Sequence, residues 1–452
     1  MESHVHHHHH QHQATLPAKK KSEVVVELEA YAAEWEVAPG RTLQGWTYNG
    51  QVPGPTIEAN VGDTVVVRLK NRLAEPTTIH WHGLEVPAEM DGTQVVQRLV
   101  QPGESFEYRF EVRTAGTFWY HSHHNETVQM ERGLYGAFIV RGTDEPRVDR
   151  ERVLVLDDVK LNRKGDFASF GGWIEEHTGR EGDVRLVNGV QQPAIQIAAG
   201  QIERWRIVNA SSARYVLLSL GGREFSIIGT GGGLIEAPVT ATQRLLPPAD
   251  RVDIAVGPFE EGTEISIESL PYDRHTGKKK VERFATVRVG ASEPSHASIP
   301  ARLRTIAPLA VANATPTRVV KLSEKLSLKR GTDFLINDEM HHNDGPVTVG
   351  ELQVWDVVNA SHMDHPFHLH GFSFQVISVN GAAPAFRSWE DTVNVPPHGR
   401  VRIAWMPDDR PGFWMYHCHI LEHHAGGMMA NFAVVRPGES AMAMDAAHSC
   451  HV

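Results

Sequence analysis

The chain has 452 residues, room for roughly three domains of about 150 residues each. Hydrophobic residues make up 41% and charged residues 22%, an ordinary globular composition, and a net charge of −11 argues against a general affinity for nucleic acid or anionic lipid. No apolar run approaches the roughly 18 residues of a membrane span, and two cysteines, Cys418 and Cys450, are too few for a disulfide scaffold.

Histidine is the anomaly, with 28 in the chain and seven of them in the opening MESHVHHHHHQHQ. That run has no face to bury, so residues 1–22 read as a disordered, metal-attracting tail, either native or an expression tag. No charged segment with a following apolar stretch precedes the body. The expectation is a periplasmic or secreted protein whose leader is absent or replaced, with a cytoplasmic location left open.

From residue 23 the pattern is short apolar or alternating runs between Pro-Gly, Gly-Asp and Ala-Gly turns, through VVVELEAYAAEWEV, TIEANVGDTVVVRLKNRL, GTFWYHSH and GLYGAFIVRG. They describe a β-sandwich over 23–143. After the charged TDEPRVDRER a second unit, 144–300, repeats the rhythm, with loops at Asn162 to Gly182 and Asp273 to Arg283 that read as solvated. The stretch SIPARLRTIAPLAVANATPT suits an extended connection into a third unit, 301–440, and Cys418 to His424 reads as the start of a short helix. Residues 441–452, with Cys450, read as a flexible tail. The segments GDTVVVRLKNRL, GQIERWRIVNAS and GELQVWDVVNAS each put a Gly turn before a strand that ends in Asn, so the fold expected is all-β, three related sandwiches.

Ten other histidines fall in four clusters: His80 and His82; His121 and His123; His365, His368 and His370; His417, His419 and His423. Alternate residues of a strand share a face, so each His-X-His aims two imidazoles into one space. Four such pairs from the first and third units supply eight nitrogens, enough for several transition ions if those units meet. Cys418 points the other way, toward a separate site. There His365, His423 and a thioether complete a His2Cys blue-copper arrangement, with Met428 the candidate axial ligand and Met429 the slip-by-one alternative. The remaining histidines outside the tail, including His177 and His362, are assigned to surfaces, His424 excepted.

The strings TIHWHGLEVPAEMDG, GTFWYHSHHNETVQMERGLYG, HPFHLHG and YHCHILEHHAGGMM together resemble the three-domain bacterial multicopper oxidases of the laccase type, over roughly Glu27 to Pro437. The resemblance implies three cupredoxin-like Greek-key sandwiches, a copper-free middle domain and four copper ions. Type 1 copper would take His365, Cys418, His423 and Met428. Type 2 copper would take His80 and His368. One type 3 copper would take His82, His121 and His419, and the other His123, His370 and His417. Four one-electron oxidations at type 1 would then feed reduction of dioxygen to two waters.

Asp91 stands where the family has an acid that orients cluster water and delivers protons, a turn role for Asp-Gly being the competing reading. Many relatives place Glu after the last type 1 histidine, whereas this chain has His424, which either shuttles protons itself or leaves that task to Asp91. Relatives specialised for cuprous ion carry a Met-rich insertion and an Asp and a Met shortly before the first type 1 histidine. Here Ser361 replaces the Asp, and Met363 is either a thioether ligand or packing. The expectation is an accessible type 1 edge and a monomeric oxidase of phenols and aromatic amines. A cuprous oxidase and a non-catalytic copper-binding scaffold are the alternatives; a two-domain nitrite reductase is opposed by length and by the His-Cys-His motif.

Overall fold

The computed structural model describes residues 22–440 except 275, 278, 310, 312, 313 and 328–330; the His-rich run, Cys450 and the C-terminal tail lie outside the described residues. Six sheets stack in pairs into three cupredoxin-like sandwiches. The first packs the strands Arg41–Tyr48, Glu23–Ala38, Thr64–Asn71 and Ser105–Glu111 against Gly54–Asn60, Tyr135–Arg141, Gly116–His121 and His80–His82. The second has sheets of seven and five strands, and the third sheets of five and six.

Each sandwich buries its own aromatic core. Trp81, Tyr108, Phe110 and Phe138 fill the first, Trp205, Phe225 and Phe284 the second, and Trp355, Trp405, Trp414 and Phe432 the third. In the third, the same cluster encloses Cys418, Met363 and Met428. Polar contacts lock the first and second sandwiches together: Thr117 donates to Asp253 at 2.6 Å, and Asp253 also takes Arg204 and Arg206.

The threefold repeat has a structural counterpart. Strands Thr64–Asn71, Glu203–Asn209 and Gln353–Asn359 each run parallel to the opening strand of their own sandwich. Their final Asn makes the same three bonds each time. Asn71 Oδ1 accepts from the Leu73 amide and its Nδ2 donates to the Glu75 and Val100 carbonyls. Asn209 does this with Ser211, Arg214 and Leu246, and Asn359 with Ser361, Met363 and Val395. One buried amide thus pins the loop that follows the strand, and in the third sandwich that loop leads into His365.

Replacing Asn359 with Ala leaves two buried carbonyls without their donor. The expected loss is about 2–4 kcal/mol, read from the shift of the urea midpoint. An unchanged midpoint would show that water takes over both bonds and that the amide does not pin the loop.

Candidate metal centre

The histidine arms lie on paired strands. His80–His82 runs antiparallel to Gly116–His121 with His80 opposite His121, and His365–Leu369 runs antiparallel to Gly412–Cys418 with His368 opposite His417. Trp81, between two histidines, turns to the opposite face and packs on Tyr108 and Phe110, as the period of a strand requires. Gly83 ends its arm at φ +84°, where a Cβ would come within 2.5 Å of Arg251 and Asp391. No other residue fits there, which accounts for the Gly that follows His82.

The structure brings all eight paired histidines of the first and third sandwiches into one buried space. His80 Nε2 and His368 Nε2 stand 3.4 Å apart, and His370 Nε2 and His417 Nε2 stand 3.0 Å apart. The donor atoms of His123, His370 and His417 lie within 4.8 Å of one another, as do those of His80, His82 and His121. His419 closes the remaining side, its ring 5.1 Å from His82 and 5.4 Å from His121.

The outward ring nitrogens are tied to acceptors, which fixes where each proton sits. Nδ1–H of His80, His121, His368 and His417 donates to the carbonyls of Asp91, Ser122, Asp391 and Cys418, each at 2.9 Å. His370 Nδ1 donates to Asp91 Oδ2 at 2.8 Å, His123 Nδ1 to Glu126 at 3.0 Å and His82 Nε2 to Asp391 at 3.0 Å. The inward nitrogens of His82, His121 and His123, and both of His419, are buried without a hydrogen-bond partner among the described residues. Such orphaned lone pairs fit bound metal ions. Burial first, and then mutual repulsion, holds His82, His121, His368, His370 and His417 well below the usual imidazole range; burial also holds His419 down, at about 3. Those six rings are therefore neutral and free to coordinate.

Cys418 lies on the other face of its strand. Its Sγ is 3.5 Å from His365 Nδ1 and 3.6 Å from His423 Nδ1, and those two nitrogens are 3.2 Å apart. Met428 is buried in the same core cluster, whereas Met429 lines the cavity beside His424. The outward Nε2 atoms are capped. His423 Nε2 donates to the His177 carbonyl at 3.0 Å, and His365 Nε2 stands 2.8 Å from Ser361 Oγ, whose own proton goes to Asn359.

These caps correct three expectations. The edge expected to be accessible is closed: His365 and His423 are both fully buried. The loop from Asn162 to Gly182 is not merely solvated, because its helix Trp173–Thr178 brings the His177 carbonyl onto His423. His177 is accordingly not a plain surface residue, though its polar neighbours gave no sign of this. Met363 is buried in the same core cluster as Met428.

Asp91 is fully buried; beside its bond to His370, one carboxylate oxygen lies 3.3 Å from His80 Nδ1. The turn reading also holds, since a Cβ on Gly92 would fall 2.0 Å from the Ile79 carbonyl oxygen. Two acids escaped the sequence reading. Asp391 accepts from His82 and pairs with the buried Arg251 of the middle sandwich. Glu126 bridges His123 and His424, the latter at 2.8 Å, and the His424 ring stacks on His417 with centroids 4.3 Å apart. Burial alone would raise the Glu126 carboxyl, but the two imidazoles hold it well below the usual range. The Glu-Thr pair in HHNET was the only available signal for Glu126.

Three sandwiches, a buried nest of eight imidazoles and a His2Cys site on the reverse of the same strand define a copper oxidase with both a mononuclear and a trinuclear centre. Multicopper oxidase profiles match residues 30–145, 116–261 and 314–438, and the chain belongs to the multicopper oxidase family, whose members bind four coppers. It is 30% identical to the multicopper oxidase MmcO of Mycobacterium tuberculosis, over 86% of this chain and 83% of that one. It is also 30% identical to the cell division protein FtsP of Photorhabdus laumondii, over 89% and 88%. Among solved structures, a multicopper oxidase from Campylobacter jejuni described as a metallo-oxidase superposes with a TM-score of 0.82 at 33% identity, covering 93% of both chains. A laccase from Pediococcus acidilactici gives 0.81 at 29% identity, covering 92% of this chain and 91% of that one.

Burial pushes the Cys418 thiol up to about 12, so without metal it stays protonated at neutral pH, while burial holds His365 at about 3. Cupric ion at this site therefore displaces about one proton, from the thiol, and its apparent affinity rises about tenfold per pH unit from pH 6 to 9. Indicator-dye proton counting of the parent minus Cys418→Ser checks this. A difference of zero would mean that the thiol is already ionised.

Proposed function

We propose that the chain is a laccase-like oxidase that takes electrons singly from small phenols and aromatic amines and reduces dioxygen to water. In this reading His365, Cys418, His423 and Met428 hold type 1 copper, and His80 and His368 hold type 2. His82, His121 and His419 hold one type 3 ion, and His123, His370 and His417 the other. Bound copper supplies the one-electron redox steps and the dioxygen site. The observation that carries the proposal is Cys418 between His417 and His419, with the His417 Nδ1–H bonded to the Cys418 carbonyl at 2.9 Å. That gives electrons a through-bond route from the sulfur to the histidine nest.

A cavity of about 370 Å³, lined by Phe170, Phe334, Met340, Arg180 and Glu422, adjoins the type 1 site. Its Phe334 stacks on the His423 ring at 4.0 Å and 19°. A single aromatic ring fits this volume and reaches the type 1 ligand by contact through Phe334, although both imidazole edges are capped. A second cavity of about 480 Å³ reaches His123, Glu126 and His424 and gives solvent protons a way to the nest. Asp91, gripping His80 and His370, is the acid that hands protons on from within. Cuprous oxidation is supported by the likeness to the Campylobacter metallo-oxidase, but the buried Met363 and the hydroxyl of Ser361 offer no thioether and carboxylate pair for that ion. The complete donor set favours an oxidase over a scaffold role of the kind the FtsP likeness would suggest.

Oxygen uptake by copper-counted protein tests the proposal, with 2,6-dimethoxyphenol and cuprous ion as separate reductants. Faster turnover of the phenol is expected, and Cys418→Ser should abolish it with the blue absorption. Preference for cuprous ion would overturn the substrate assignment. Asp91→Asn keeps an acceptor for His370 but has no carboxyl proton. It should leave anaerobic type 1 reduction intact and slow reoxidation by dioxygen about 10²-fold or more, as loss of a general acid does. Reoxidation at the parental rate across pH 4 to 9 would reduce Asp91 to positioning the two histidines.

A further inference from the structure

The structure assigns a separate cation site, suited to a borderline divalent ion such as Zn²⁺ or Cu²⁺, to His177, Glu324 and His362 at the seam between the middle and third sandwiches. Glu324 stands between the two imidazoles: Oε1 is 2.6 Å from His362 Nδ1 and Oε2 is 4.0 Å from His177 Nδ1. Oε2 is buried with no hydrogen-bond partner among the described residues. The two imidazole centroids are 5.8 Å apart, the separation of His123 and His417 within the histidine nest.

Two imidazoles and one carboxylate with room for water form a donor set that zinc and copper accept. Donors on a tetrahedral ion with bonds of about 2.0–2.1 Å stand about 3.3 Å apart. The Glu324 contact to His362 has to open, and the contact to His177 to close, by well under 1 Å each. The ion takes the place of the direct contact between His362 and Glu324. The Thr332 hydroxyl, 3.1 Å from His177 Nδ1, moves aside or adds an oxygen donor. The His362 side chain is 56% exposed, against 19% for His177 and 13% for Glu324, so the ion enters from solvent at His362.

The site has a line to the type 1 centre. His177 supplies the imidazole by its side chain and, by its carbonyl, the acceptor for His423 Nε2 at 3.0 Å. An ion that draws His177 toward Glu324 shifts the helix Trp173–Thr178 that covers type 1 and alters that hydrogen bond, which tunes the ligand's basicity. This coupling rests on the type 1 assignment made above; the ion binding does not.

The test uses the full chain, loaded with copper and recounted afterwards, in equilibrium dialysis against Zn²⁺. The parent is compared with Glu324→Gln and His362→Ala, which change no residue of the copper sites. The N-terminal histidines bind Zn²⁺ alike in all three, so the difference is the reading. One Zn²⁺ per chain should be lost from each variant, or its Kd raised at least tenfold. Equal stoichiometry and affinity in parent and variants would overturn the site. Zn²⁺ should also shift the type 1 paramagnetic resonance signal of the parent saturably and leave that of His362→Ala unmoved. Binding without any shift would overturn the coupling to type 1. A loaded protein with no type 1 signal would count against the proposed function while leaving the zinc count intact.

Discussion

Ten imidazoles removed from water can serve two adjoining metal sites only if every ring shows a lone pair to its site, and that depends on where the other nitrogen leaves its proton. Nine of the ten have an oxygen at the outward nitrogen: backbone carbonyls for His80, His121, His368, His417 and His423, carboxylates for His82, His123 and His370, and a hydroxyl for His365. A carbonyl accepts only N–H, so the tautomer is settled before any ion arrives. Within the nest, His82 differs from the other capped rings in turning Nδ1 inward, and its acceptor, Asp391, is accordingly on the opposite side of the ring.

That arrangement needs all three sandwiches, including the one without a histidine in the nest. Asp391 is a buried carboxylate next to a ring that has to stay neutral, and the Arg251 guanidinium of the middle sandwich compensates its charge through two contacts. Arg251 also donates to the Thr117 and Gly231 carbonyls, tying the strand that carries His121 to the same group. The middle domain is thus the electrostatic counterweight of the centre, and from its loop at Asn162 to Gly182 it also supplies the cover over the Cys418 site.

The convergence of these side chains was legible because a strand has a period of two: His-X-His, and the Cys inside one such pair, state their faces without any tertiary knowledge. The Asn that ends each repeat was visible as a pattern, but its job was not, because its two carbonyl partners lie in segments of unrelated sequence, one of them distant in the chain. The acids were legible only near a motif. Asp91 follows His82 closely, while Asp391 meets the same ring from 309 residues away and Glu126 meets His424 across 298. Spacing carries no information about a partner brought in by another domain. The closed edge of the Cys418 site was invisible for a further reason: the cover touches His423 with a backbone carbonyl, and any residue has one. Its outer face keeps Trp173 and Ile174 in solvent, so the composition of the loop is that of a surface.

The nest draws its arms from strands near the two ends of the chain, His80 to His123 and His368 to His419, and neither sandwich can complete it alone. Every ion bound across the two sets is therefore a cross-link between the N-terminal and C-terminal thirds, in a chain whose only described cysteine is free. Binding to the folded form alone adds about 2.7 kcal/mol of stability when free metal stands at 100 times Kd. Copper supply then governs how long the polypeptide survives as well as whether it turns over, and the metal-starved chain is the form that proteases meet first.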